Sequence, residues 1–266
     1  MTYFGVLLRF VGIPLLFLTL ITAYDARKGR GLPHPFRAFP AWLALLGHVI
    51  VALAYTTPWD NYLVATRVWW YDPALVTGLT LGWVPIEEYT FFVVQTLMTG
   101  LWLFLWIRRA SAGSHPPALR GELRPLAAGV TGLFWAIWLV LLLVGWQAGR
   151  YMALILVWAL PPIMLQLAFG ADILWRYRRL AFLGIVPPTL YLWLVDGLAI
   201  RSGTWTISPG HIVGVHLIGI LPLEEAVFFL VTNTLVVFGI LLIMAQESHR
   251  RLLFWRKTES TEGDEG

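Results

Sequence analysis

The sequence contains no cysteine and few charged residues. Without cysteine, the chain forms neither disulfides nor thiolate metal sites, and its redox compartment cannot be inferred. Charged residues make up 13% of the 266 residues, against about 25% in soluble domains. Hydrophobic residues make up 58%, and 15 residues are tryptophan. A soluble core cannot bury that much apolar side chain, so the composition predicts an integral membrane protein.

Three kinds of functional motif are also missing. No Gly-x-Gly-x-x-Gly follows a strand pattern, which argues against a dinucleotide or flavin fold, and no cofactor is expected. The only lysines, Lys28 and Lys257, lie outside the predicted spans, so a seven-helix retinal protein would lack its Schiff-base lysine. No metal site is assigned, because the histidines show no ligand spacing. They are His34, His48, His115, His211, His216 and His249.

Seven apolar stretches approach or exceed the roughly 20 residues that cross a bilayer as a helix. None shows the alternation of an outer-membrane barrel strand. The fold class is therefore predicted to be all-α, a polytopic membrane protein of about seven helices. The predicted spans are 3–24, 41–57, 75–106, 126–147, 151–171, 180–200 and 213–245. The third and seventh are over-long and contain Pro85 and Pro222, so each is expected to be kinked or to begin as a separate short segment.

The basic residues predict the orientation in the membrane. Fifteen of the 19 Lys and Arg follow spans one, three, five and seven, whereas the opposite side has only Arg9, Arg67, Arg150 and Arg201. The positive-inside rule therefore predicts a cell-membrane protein with its N-terminus outside and its C-terminus in the cytoplasm. This pattern, rather than nucleic-acid binding, accounts for the high isoelectric point. The first span is expected to be a retained helix rather than a signal peptide.

Two segments of the chain resemble each other. Residues 58–92 contain PWDNY, VWWYDP and VPIEEYTFF, and residues 194–229 contain a matching aspartate, tryptophan and LPLEEAVFF. The Asp and Trp positions match at an offset of 136 and the Pro-x-Glu-Glu positions at 137, so one residue is inserted between the two blocks. So many unusual positions are improbable by chance, which indicates an internal duplication.

The duplication predicts the domain organisation. Residues 1–107 form a first three-helix repeat, 108–150 a loop and linking helix, and 151–246 a second three-helix repeat. Because the linking helix restores direction, the repeats are expected to be parallel and related by an axis along the membrane normal. Residues 247–266 are expected to be a cytoplasmic tail, partly disordered from Glu259 to Gly266.

The repeated motif places ionisable groups at membrane depth, which costs at least about 2.5 kcal/mol each and marks a functional candidate. The candidate catalytic acids are Glu87, Glu88, Glu224, Glu225, Asp60 and Asp196. Adjacent helical residues point about 100° apart, so one glutamate of each pair is expected to face a pocket while the other bonds its surroundings. A protonated carboxyl in an aromatic pocket suits protonation of an olefin, and aromatic faces stabilise the resulting cation. The candidate substrate-binding residues are Trp59, Trp69, Trp70, Phe91, Phe92, Trp205, Phe228 and Phe229.

The same residues also allow purely structural interpretations. A proline followed by two glutamates is also typical of a helix N-terminus. Asp60 and Asp196 would also suit helix ends at the outer surface, and the tryptophans would suit an interfacial aromatic belt. Polar residues two turns past the glutamates are more typical of helix packing than of ligand binding. They are Gln95, Thr96, Thr232 and Asn233.

The motifs PWDNY, VWWYDP, VPIEEYTFF, LPLEEAVFF and VTNTLVV resemble those of the membrane lycopene cyclases of the heterodimeric bacterial and archaeal type. Many members use two short subunits with one Pro-x-Glu-Glu motif each, and this chain resembles the fused single-chain form over nearly its whole length. The resemblance implies carotenoid biosynthesis, with cyclisation of lycopene to γ-carotene and β-carotene. It carries over to the four motif glutamates and to Asp60.

The second copy departs from the first, since Asp196 has no Pro-Trp before it and Trp205 stands alone. The resemblance leaves open a C50 carotenoid substrate and an ε-ring product. A small-solute transporter, which would need a polar cavity, is the competing function class. The expected partners are lycopene or a related carotenoid and membrane lipid, with no nucleic acid, and a homo-oligomer is left open.

Overall fold

The computed structural model describes residues 1–110 and 118–262, with side chains up to residue 254. Within these ranges seven helices are long and apolar enough to cross a membrane, which confirms the all-α polytopic prediction. They are α1 (Tyr3–Arg27), α2 (Ala41–Ala65), α3 (Ile86–Arg109), α4 (Leu123–Leu143), α5 (Arg150–Arg176), α6 (Arg178–Arg201) and α7 (Leu223–Met244). A further helix, α8 (Gln246–Glu262), follows.

The predicted boundaries differ most from the structure at the end of α2, at the starts of α3 and α7, and in the tail. Helix α2 continues through Pro58 to Ala65, because a proline within a helix removes one hydrogen bond without forcing the helix to end. The over-long third and seventh stretches are not single helices, since Pro85 and Pro222 occupy the N-cap positions of α3 and α7. The tail differs as well: α8 reaches Glu262, and residues 263–266 of the tail predicted to be disordered lie outside the described residues.

A short β-hairpin precedes each of these two helices. The first pairs β2 (Thr80–Leu81) with β3 (Val84–Pro85), and the second pairs β5 (His216–Leu217) with β6 (Leu221–Pro222). The first turn has two residues between its paired positions, and the second has three. The extra residue of the second repeat therefore lies in this turn, where Ile218 adopts a positive φ of 53°.

A two-stranded ribbon joins the two halves of the chain. Strands β1 (Trp69–Tyr71) and β4 (Trp205–Ile207) run antiparallel, and the register pairs Trp69 with Ile207, Trp70 with Thr206 and Tyr71 with Trp205. Thr206 lies 136 residues after Trp70, which is the offset of the repeat. A local two-fold axis through the Trp70–Thr206 pair therefore relates strand β1 to strand β4.

Polar bonds hold α3 against α7 at membrane depth. Nε2 of Gln95 donates to Oγ1 of Thr232 at 3.2 Å, and Oγ1 of Thr99 donates to Oδ1 of Asn233 at 2.8 Å. Nδ2 of Asn233 in turn donates to Oγ1 of Thr189 on α6 at 2.9 Å. These bonds give Gln95, Thr232 and Asn233 the packing role expected of them, whereas Oγ1 of Thr96 bonds within its own helix.

Buried ion pairs lie at the helix ends opposite the hairpins. Asp25, at the end of α1, accepts hydrogen bonds from Arg108 and Arg109 at 3.1 and 3.2 Å. Asp172, near the end of α5, pairs with Arg251 of α8 at 2.6 Å. Both aspartates are buried, so each pair fixes a carboxylate to a basic cluster at this end of the bundle.

Candidate active site

The hairpin end of the bundle encloses a cavity, here called the acid cavity. Four carboxyl groups line it, together with aromatic and aliphatic side chains from α1, α2, α3, α5, α6 and α7. The carboxyl groups are those of Asp60, Glu88, Asp196 and Glu225. Residues of both repeats thus contribute to one shared chamber rather than to two separate sites.

Glu88 and Glu225 occupy equivalent positions in the first turns of α3 and α7, and each is bonded to a tyrosine. Oε1 of Glu225 accepts a hydrogen bond from the Tyr151 hydroxyl at 2.7 Å. Oε2 of Glu88 accepts one from the Tyr3 hydroxyl and a longer one, at 3.3 Å, from Tyr71. Burial and the neighbouring Glu88 raise the pKa of the Tyr71 hydroxyl well above its ordinary value, so Tyr71 stays a neutral donor.

Glu87 and Glu224 are buried but do not line the acid cavity. Oε1 of Glu87 accepts the backbone N–H of Thr77 at 2.6 Å, and Oε1 of Glu224 accepts that of Val213 at 2.7 Å. Each therefore ties its helix to the segment that leads into the hairpin. Both glutamate pairs also lie in the first turn of a helix, directly after a proline N-cap. The motif therefore begins a helix and also places one glutamate of each pair at the cavity.

The two aspartates lie within helices rather than at their outer ends. Asp60 stands more than one turn before the end of α2, and Asp196 more than one turn before the end of α6. Oδ1 of Asp196 accepts a hydrogen bond from Nε1 of Trp205 at 2.9 Å. The Oδ2 atoms of Asp60 and Asp196 are buried and have no hydrogen-bond partner among the described residues. Such oxygens are free to accept a proton.

The two copies differ at the tryptophan. Trp205 bonds Asp196, whereas Nε1 of its counterpart Trp69 has no partner within the described ranges. Both rings nevertheless line the acid cavity. Trp70 does not, because alternate residues of a strand point to opposite faces.

The remaining aromatic candidates form the cavity wall. They are Trp59, Phe91, Phe92, Phe228 and Phe229. Trp59 stacks against Phe228 with ring centroids 5.8 Å apart and against Trp158 at 4.5 Å. The wall therefore offers aromatic faces to any cation formed beside the carboxyl groups.

Tyr3 and Tyr151 are the site residues that the sequence motifs did not point to. Tyr3 stands 22 residues before Asp25, and Tyr151 stands 21 residues before Asp172. Extending the repeat through these two aspartates would have aligned the tyrosines to within one residue. Across the described residues, no group of three or more His, Cys, Asp or Glu has the geometry of a metal site.

Comparison with known proteins identifies the family. The sequence profile described as lycopene cyclase matches residues 2–106 and 133–244. A lycopene beta-cyclase of Halobacterium salinarum is 39% identical over 234 residues, which cover 87% of this chain and 91% of that protein. No solved structure matches significantly.

Fungal proteins give a second kind of match. A bifunctional lycopene cyclase/phytoene synthase of Phaeosphaeria nodorum is 45% identical over 202 residues, covering 72% of this chain and 34% of that protein. One of Gibberella fujikuroi is 40% identical over 206 residues, covering 73% and 33%. The chain thus spans about a third of the fungal relatives but nearly all of the archaeal one. Profile, relatives and the duplicated acid motif agree, and the chain belongs to the lycopene cyclase family.

Proposed function

We propose that this protein closes β-rings on the acyclic ends of lycopene by acid-initiated cyclisation, with no change in oxidation state. The family assignment and the activity for which its relatives are named support this reaction. The observation that supports the mechanism is the acid cavity, where Glu88 and Glu225 stand bonded to tyrosines among aromatic walls. Apart from its carboxyl groups, the cavity lining is aromatic and aliphatic, as a hydrocarbon substrate requires. A transporter of small solutes would need a polar lining.

In the first step, Glu88 or Glu225 gives a proton to C2 of the acyclic end. The cation left at C1 is attacked by the C5=C6 bond, which forms the C1–C6 bond and moves the cation to C5. Loss of the proton from C6 regenerates the C5=C6 bond in the ring. One proton enters and one leaves, so the reaction is an isomerisation that needs no electron donor or acceptor.

Asp60 and Asp196 are the proposed bases. Their unpartnered Oδ2 atoms lie in residues that line the same cavity as the acids, so a proton can be accepted there. The aromatic walls stabilise the intermediate cation by cation–π attraction, which is strongest where water is excluded. Trp59, Phe91 and Phe228 line the cavity and are suitably placed for this, whereas Trp70 does not line it.

Glu87 and Glu224 act as positioning residues. Each holds a backbone N–H of the segment before its hairpin, and the hairpin ends at the proline that begins the helix. The neighbouring acid is thereby fixed relative to the cavity. Their contribution to catalysis is through Glu88 and Glu225 rather than through the substrate.

The chain is proposed to consist of two parallel three-helix repeats, 1–107 and 151–246, joined by 108–150 and followed by the tail 247–266. The matched hairpins, the tyrosine–glutamate pairs and the ribbon register support this layout. The N-terminus is proposed to face outside and the C-terminus the cytoplasm, as the basic clusters favour. Membrane lipid is the proposed partner of the exposed helix faces, and self-association is left to experiment.

Pigment analysis in a lycopene-accumulating host tests the function. Expression of the chain should convert lycopene to γ-carotene and β-carotene, identified by chromatography and absorption spectra. Unchanged lycopene at verified membrane insertion would contradict the proposed activity. Rings with the double bond in the ε position would contradict the proposed proton loss from C6.

A further inference from the structure

A second, roomier cavity lies beside the acid cavity. Its volume is about 350 Å³, against about 40 Å³ for the acid cavity on the same measure. Phe92 and Phe228 line both cavities, so the two spaces lie on either side of these rings. The walls come from α2, α3, α5 and α7.

Hydrocarbon dominates the surface of this cavity, although several polar residues border it. Oγ1 of Thr96 donates to the backbone oxygen of Phe92, and Oγ1 of Thr232 donates to that of Phe228. Nδ1 of His48 donates to Ala44 O at 2.7 Å, and Nε2 of Gln166 donates to Leu235 O at 2.9 Å. These donors are satisfied within the bundle, whereas Oε1 of Gln166 has no hydrogen-bond partner among the described residues, so the cavity suits a largely apolar occupant.

The cavity is elongated and reaches the lipid-facing surface. Its lining on α7 runs from Phe228 to Ile243, about four turns or roughly 22 Å along the helix. On α2 it is lined by Val51 and Tyr55, which are 62% and 42% exposed. A long hydrocarbon can therefore reach the cavity sideways from the bilayer.

We infer that this second cavity, the polyene cavity, binds the conjugated chain of the carotenoid, while the acyclic end passes between Phe92 and Phe228 to the acids. The inference rests on the lycopene cyclase function proposed above and adds the site that holds the unreacted part of the substrate. The position of this cavity next to the acid cavity favours the carotenoid as its occupant, because a lipid acyl chain has no group for the carboxyls to act on. The carotenoid then binds largely through apolar contacts of its conjugated chain, and these contacts position the reacting end at the acids.

Gly47 offers a clean test. It lines the polyene cavity about 20 Å along α2 from Asp60, and a Cβ added there meets no atom within 4 Å. Gly47 is itself exposed, so Gly47→Phe should obstruct the cavity at its lipid-facing side without straining the fold or touching the acids. Ala52→Trp fills it at a second place, and Ala54→Trp is the matched control because Ala54 is exposed on the same helix and does not line the cavity.

Two measurements read the result. In purified protein, Gly47→Phe and Ala52→Trp should raise the KM for lycopene at least about tenfold with a smaller change in kcat, and Ala54→Trp should leave both near wild type. In a non-reacting Glu88→Gln/Glu225→Gln background, bound lycopene should give induced circular dichroism, because an achiral polyene becomes optically active in a chiral site. Gly47→Phe should abolish that signal, and Ala54→Trp should keep it.

The outcomes separate the two proposals. If the filled variants match Ala54→Trp in both measurements, the cavity holds lipid only and the inference is wrong. If lycopene binds with a signal that Gly47→Phe removes, but wild-type protein forms no rings, the cavity stands and the proposed function falls. A variant that does not give a monodisperse purified protein is replaced by the other filled variant, since either one decides the question.

Discussion

The hydroxyl of Tyr151 donates a 2.7 Å hydrogen bond to Oε1 of Glu225. Tyr3 makes the corresponding bond to Glu88 from the start of the other repeat, so each proposed acid has a tyrosine from the first helix of its own half. The Tyr71 hydroxyl adds a third donor on the Glu88 side only. The two acids are therefore related in position but differ in their surroundings.

Removing the tyrosine hydroxyls should weaken catalysis without unfolding the protein. Tyr151→Phe keeps the ring and loses only the bond to Glu225, so we expect turnover to fall about tenfold, the worth of roughly one such bond. Tyr3→Phe should have a smaller effect, because Tyr71 still reaches Glu88. Initial rates on purified protein at matched amounts would measure both. Equal rates for Tyr151→Phe and wild type would remove the hydrogen bond from the mechanism.

The two glutamates of each motif should behave differently on substitution. Glu88→Gln and Glu225→Gln cannot deliver a proton, so cyclisation should fall by about 10²- to 10⁴-fold when the double variant is tested. Glu87→Gln and Glu224→Gln should change the rate per folded molecule little, because the amide oxygen can still accept the backbone N–H of the segment before the hairpin. Any loss should appear instead in the yield of folded protein. Membrane-fraction quantification beside product analysis separates the two effects. A double Glu88/Glu225 variant with wild-type activity would sink the acid assignment.

The source of the new ring proton can be followed by isotope. Purified protein in heavy water should leave one deuterium at C2 of each ring formed, hence two in a product with two rings, because carboxyl protons exchange with solvent. Mass spectrometry and NMR of the product give the number and the position. The reaction should proceed without added nicotinamide or flavin. Rings without deuterium would show that the proton does not come from an exchangeable acid.

The topology can be tested with the chain's own lack of cysteine. A cysteine at Thr2 and another appended after Gly266 are each the sole thiol in their variant. A membrane-impermeant maleimide added to intact cells should label the first and not the second, as the 15 to 4 distribution of Lys and Arg predicts. Lysed cells provide the control for reactivity. Labelling of only the C-terminal cysteine in intact cells would reverse the orientation.

Much of this architecture was accessible from the sequence because hydropathy and repetition are long-range patterns. Seven spans, the duplicated motif and the single inserted residue all follow from composition and spacing. The helix starts did not, since residues 75–85 and 213–222 are apolar enough to be counted into a membrane helix. The hairpins form by their own strand pairing and are preceded by segments bonded to Glu87 and Glu224, contacts that hydropathy does not report.

The sequence predicted which types of residue form the site, but it predicted less well which role each residue has. A helical separation of 100° says that only one glutamate of a pair can face a cavity, but the choice of Glu88 over Glu87 depends on how α3 packs. The repeat offset of 136 matches Trp69 rather than Trp70 to Trp205, but only the folded chain shows that Trp69 lines the cavity and Trp70 does not. Tyr3 and Tyr151 lie outside the motifs altogether, so only the assembled bundle brings them to the acids.

The linking helix α4 has no buried residue and packs along α5, where Nε1 of Trp135 donates to Val157 O at 3.2 Å. The two halves instead meet through α3, α7 and the ribbon of β1 and β4. We therefore expect the connection to aid assembly mainly through effective concentration, since the polar bonds and the ribbon that join the halves do not involve α4. Two separately encoded polypeptides with the same faces would assemble the same cavity, at a cost set by how often they meet in the bilayer.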